Sequence, residues 1–109
     1  MFRRLISFLI LCALSLSFAF ADEGDYLMGL NAYKDGLNDL AKSGLNAYLA
    51  DSPDAGNKPY AEYLMYRIYM EEGTLEKAYP FFQLIENIND SRFDKKLISA
   101  DKMRLLINQ

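Results

Sequence analysis

Histidine and tryptophan are missing from this chain of 109 residues, and Cys12 is its single cysteine. Without histidine, general acid–base catalysis loses its commonest agent near neutral pH. Cys12 falls in an amino-terminal apolar run, and loss of that run would leave no thiol nucleophile and no disulfide. No glycine-rich phosphate loop occurs. The neighbouring carboxylates Asp22-Glu23 and Glu71-Glu72 diverge when placed on a helix, so they read as solvated charges. Asp51, Ser52, Asp54 and Asn57 bring oxygen atoms to one segment, but their spacing fits no calcium loop. These absences predict a protein without catalytic residues, metal, cofactor or small-molecule substrate. Basic residues are also few: setting aside Arg3 and Arg4, 10 of the 12 remain against 15 acidic ones. An acidic surface of that kind excludes nucleic acid, which needs a basic stripe.

What the chain does have begins with an export signal. Arg3 and Arg4 precede the apolar run Leu5 to Phe18, and Ala19-Phe20-Ala21 supplies small residues for a signal peptidase. Residues 1–21 are expected to be a signal peptide cleaved after Ala21. The alternative is a membrane anchor through uncleaved 5–21, a run short for a span of about 20 residues. Leu11 before Cys12 does not fit a lipoprotein signal, so Cys12 reads as an apolar filler.

The remainder, 22–109, repeats itself. Gly36, Ala41, Leu45 and Tyr48 recur 37 positions on as Gly73, Ala78, Phe82 and Ile85. A period in the range of about 20–50 residues marks a repeat of one supersecondary unit. Apolar residues at three- and four-residue steps predict helices over Asp25 to Lys34, Leu37 to Ala50, Lys58 to Glu72, Thr74 to Asn89 and Ser91 to Asn108. Gly29 and Gly44 are candidates for close helix approach. Gly36 and Gly73 suit the left-handed residue after a helix. Thr74 is a candidate cap, and Pro80 predicts a kink or a late start of the fourth helix. Phe93, Leu97, Ala100, Met103 and Ile107 are the expected inner side of the fifth helix. The apolar carboxy-terminal end predicts dimerisation, or a place at the front of a longer array.

The order Gly29, Gly36, Ala41, Leu45, Pro53, followed by Met65, Tyr69, Gly73, Ala78, Phe82, resembles the tetratricopeptide repeat family. The second unit departs from the pattern at Tyr66, where a large residue replaces a small one, and at Asp90, where a proline is absent. The resemblance implies an all-α fold, a short right-handed α-solenoid of helix hairpins. Its units would span about 22–57 and 58–90, with 91–109 as a partial third unit or capping helix. It implies a non-catalytic scaffold of the periplasm or cell envelope that binds a protein or peptide. The inner face would hold Glu23, Tyr26, Leu30, Tyr33 and Lys34 from one unit, and Tyr60, Tyr63, Arg67, Met70 and Glu71 from the next. Tyr26, Leu30, Tyr33, Tyr60, Tyr63, Arg67 and Met70 are the expected partner-binding residues. Two alternatives remain: tyrosines that only fill the core, in a structural, self-assembling solenoid, or the amino-terminal fragment of a longer repeat protein.

Overall fold

The computed structural model describes residues 23–51 and 56–107. The expected signal peptide 1–21 with Cys12, the loop residues Ser52, Pro53 and Asp54, and Asn108 lie outside the described residues. The described residues are all-α, with no strand among them. In chain order the helices are α1 over 23–34, α2 (Asn38–Ala50), α3 (Lys58–Glu72), α4 (Leu75–Ile85) and α5 (Lys95–Ile107).

α1 and α2 form one hairpin, α3 and α4 a second, and the two turns have the same backbone. Gly36 and Gly73 both sit at φ +77°. In the first turn the Gly36 N–H donates to the Tyr33 carbonyl and the Leu37 N–H to the Ala32 carbonyl. In the second, Gly73 donates to Met70 and Thr74 to Tyr69, each bond displaced by 37 residues. This pair of bonds closes a helix with a left-handed residue, a conformation that costs residues with a Cβ about 1–2 kcal/mol. Open space surrounds both glycines, so conformation alone sets the penalty. Gly36→Ala and Gly73→Ala should therefore each lower stability by about 1 kcal/mol in urea titrations, with contacts elsewhere unchanged.

The hairpins close differently. A Cβ on Gly44 would stand 2.8 Å from the Gly29 nitrogen and 2.9 Å from the Asp25 carbonyl oxygen, so α1 and α2 meet backbone to backbone. The places 37 residues on belong to Tyr66 and Phe81. α3 and α4 therefore join through aromatic rings: Tyr66 against Phe82 at 5.9 Å and Tyr69 against Phe81 at 6.0 Å. The Tyr66 side chain is fully buried. Ala41 and Ala78 are both fully buried, and Leu45 and Phe82 follow them one turn later in the common core.

Four expectations need correction. Thr74 makes no side-chain cap; its carbonyl alone accepts the first helical bonds, from Lys77 and Ala78. Pro80 does not delay α4, which starts five residues before it, so the late start is the half of that expectation that is overturned. Pro80 lies in the second turn on an exposed side, where water can reach the Glu76 carbonyl that loses its helical donor. α4 stops at Ile85 rather than Asn89, just ahead of Asn87 and Asn89, a residue type whose side chain competes with helical backbone bonds. α5 starts at Lys95 rather than Ser91, because two aspartates hold the preceding backbone in turns. Asp90 accepts from the Arg92 N–H at 2.9 Å, and Asp94 caps α5 by accepting from the Leu97 N–H at 3.2 Å.

The buried side of α5 also differs from expectation. Ala100, Met103 and Ile107 are exposed, Ile107 at 75 %, while Leu105 is buried and Ile98 packs on the core. The inward positions are Ile98, Asp101 and Leu105, with Phe93 buried just ahead of the helix. An aspartate in mid-stripe hides this face from a search for apolar spacing.

Candidate functional site: the face shared by three parallel helices

Arg67 is the centre of the face. It lies in the middle of α3, its side chain only 17 % exposed. One guanidinium nitrogen lies 3.3 Å from the Asp101 carboxylate of α5, and the other 3.6 Å from Glu71, one turn along α3. The Tyr66 hydroxyl donates to the same Asp101 carboxylate, and the Arg67 guanidinium lies 5.9 Å from the Tyr66 ring. Burial and the Asp101 contact push the Tyr66 hydroxyl well above its ordinary pKa. On its other side Arg67 faces the Tyr33 hydroxyl of α1. Burial is the main cause of the raised Tyr33 pKa; the nearby Glu71 carboxylate adds to it, and Arg67 opposes it.

Tyr33, Arg67 and Asp101 thus form a polar row across α1, α3 and α5. Two successive contacts each span 34 residues, three fewer than the offset of the turns. A three-residue slide along a helix is about 4.5 Å. At the α3–α5 junction the neighbouring hydrogen bonds span 31 and 35 residues, from Asp94 to Tyr63 and from Tyr66 to Asp101.

A second row lies towards the start of these helices. The Tyr26 hydroxyl faces the Arg92 guanidinium, and Tyr26 packs on Tyr48 of α2 with ring centres 5.2 Å apart. Burial raises the Tyr26 pKa, and Arg92 partly offsets this. Arg92 stacks 4.6 Å above the Tyr60 ring, donates to both Asp90 carboxylate oxygens, and reaches the Asn57 side chain at 3.1 Å and the Gly56 carbonyl at 2.7 Å. Its side-chain bonds hold the Asp90 carboxyl below the usual range. Phe93 stacks on Tyr63 at 4.7 Å, and the Asp94 N–H donates to the Tyr63 hydroxyl at 3.1 Å.

The expected binding residues therefore divide. Tyr26, Tyr63 and Met70 are buried; Leu30, Tyr33 and Tyr60 are half-buried; Arg67 is engaged by Asp101. The structure pairs Tyr26 with Tyr60 around Arg92, and Tyr33 with Arg67. Glu23, Lys34 and Glu71 are exposed. Residues 90–101 of the same chain cover Tyr60, Tyr63, Tyr66 and Arg67. Arg92, Phe93 and Asp101, which do the covering, were not singled out as site residues. The signal for Arg92 and Asp101 was available in the 34-residue spacing: an acid at that distance from Arg67, and a base close to that distance from Asn57 and Tyr60.

Among the described residues, no three Asp or Glu side chains converge to hold a metal ion, and no helix is long and apolar enough to cross a membrane. Comparison with family models, curated protein sequences and solved structures returned no match.

Proposed function

We propose that the chain is a short, exported repeat scaffold of tetratricopeptide type, a right-handed α-solenoid without catalytic activity that binds a peptide or helix of a cell-envelope protein. The repetition of the Gly36 turn at Gly73, with the same two backbone hydrogen bonds 37 residues on, is the observation that carries this reading. A repeat array propagates by stacking one such unit on the next. Leu30, Tyr33 and Tyr60 supply rigid, half-open apolar surface, and the Arg67–Glu71 pair supplies charge to set register. Tyr63 and Met70 support this surface from below.

A second reading is favoured by one observation. Met103, Leu106 and Ile107 stand exposed together on α5. Such a face suits a further helix of the array or a second copy of the chain, since repeat arrays end on polar outer faces. One experiment addresses both readings. A photocrosslinking amino acid is placed at Leu30, Tyr33 or Met103, with Gln83 as an exposed control, in cells that export the protein. Adducts to another protein from Leu30 and Tyr33 are the expected result. A dimer-sized adduct confined to Met103 would favour self-assembly, and no adduct from Leu30 or Tyr33 would remove the scaffold reading.

A further inference from the structure

Glu62 is the one acidic residue among the described residues that is buried, at 6 % exposure. It lies on α3 about 140° round the helix from Arg67, so it does not belong to the face described above. It lines a groove of about 470 Å³ with Leu49 of α2, Lys58 and Pro59 of α3, Phe81 and Leu84 of α4, and Ile88 just beyond α4. Leu84 and Ile88 are exposed, so the groove is open to solvent. Lys58, one turn earlier on α3, is the charged group that acts on Glu62, and it is itself exposed. Burial outweighs it and raises the Glu62 pKa.

A buried carboxylate is costly unless it is paired and hydrogen-bonded. Burial of leucine or methionine at this position would avoid that cost. The walls are mostly aliphatic and aromatic; of the two charged groups in the lining, Glu62 is buried and Lys58 is exposed, with no ion pair within 4 Å between them among those the structure shows. A cation on an apolar stem matches both, as a lysine or arginine does when its methylenes lie on apolar surface and its head meets a carboxylate. We propose that this groove is a second docking site, which receives a basic side chain presented between apolar residues of a partner protein's helix, with Glu62 as counter-ion. The charge at its base selects this occupant over an uncharged apolar segment. The site is independent of the Tyr33–Arg67 face and stands if that face binds nothing.

The probes are n-hexylammonium and n-hexanol, equal in chain length and different in charge. Each is titrated at neutral pH into the ¹⁵N-labelled chain lacking residues 1–21 and into Glu62→Gln and Leu84→Ser, following backbone amide shifts. Thermal melts of both variants establish that they fold. Hexylammonium should bind at the Glu62, Phe81 and Leu84 amides on the order of tenfold tighter than hexanol. Glu62→Gln should abolish that preference while retaining hexanol binding, and Leu84→Ser should weaken both probes. Equal binding of the two probes to the wild type, a preference that survives Glu62→Gln, or no shift at these amides would each overturn the proposal. Amide shifts that move on simple dilution would place a second copy of the chain in the groove, and would also overturn it.

Discussion

Gly44→Ala should destabilise the protein by about 1–3 kcal/mol, the range for forcing extra atoms into a packed contact, which is roughly 5–15 °C in melting temperature for a chain of this size. In an ordinary helix interior the same change would gain about 1 kcal/mol from helix propensity. Here the added methyl would lie 2.8 Å from the Gly29 nitrogen, 2.9 Å from the Asp25 carbonyl oxygen and 3.0 Å from the Gly29 Cα. All three are backbone atoms, so no side-chain rotation relieves the clash; α1 must move away from α2. Gly29→Ala should cost less. Two of its three close neighbours belong to the Leu45 side chain, which can shift, although the Leu45 nitrogen at 2.9 Å cannot. Gly24→Ala, in α1 with nothing within 4 Å, should be neutral or slightly stabilising. Urea and thermal melts of the three variants test this order. A Gly44→Ala protein as stable as the wild type would show that the first hairpin does not close backbone to backbone.

The parts of the fold legible in the sequence are those governed by backbone geometry. Gly36 and Gly73 announce their turns because few other residues accept their φ. Ala41 and Ala78 are legible as small residues at the same place in each unit, and both lie fully buried. α2 and α3 have the boundaries that propensity and turn residues predict, to within a residue. What spacing missed depends on polar groups in apolar places. Asp101 interrupts the buried side of α5, so the eye selects Ala100, Met103 and Ile107 instead. Glu62 interrupts α3 in the same way. The inner-face tyrosines were legible as a set of large side chains on α1 and α3, but not in their degree of burial. That depends on residues 90–94, whose course is set by the Asp90 and Asp94 turns rather than by any helical period.

Asp101→Ala should detach α5 from the rest of the fold at a cost of about 2–4 kcal/mol, near the range for removing one partner from a buried pair. The Asp101 carboxylate is 13 % exposed and serves two donors at once, Arg67 and the fully buried Tyr66 hydroxyl. Its loss leaves Tyr66 with a buried donor and Arg67 with Glu71, at 3.6 Å, as its remaining ion-pair partner. Leu105, Ile98 and Phe93 still hold α5 by apolar contact, so local opening should exceed global unfolding. Amide exchange should accelerate across 95–107 while α1 and α2 keep their protection. Asp101→Asn retains an acceptor for Tyr66 and should lose about half as much, as should Tyr66→Phe, which removes one hydroxyl. Combining Tyr66→Phe with Asp101→Ala should cost less than the sum of the two, because both break the same bond. Additivity, or unchanged exchange in α5, would mean that the polar row does not tie α5 to α3. The variant also bears on function: with Asp101 gone, Arg67 keeps only the longer Glu71 pair and offers a freer cation beside Tyr33. If a partner docks on this face through a carboxylate, its crosslinking at Tyr33 should rise in Asp101→Ala. If α5 instead completes the surface that the partner recognises, crosslinking should fall. Either change would link the 34-residue row to binding as well as to folding.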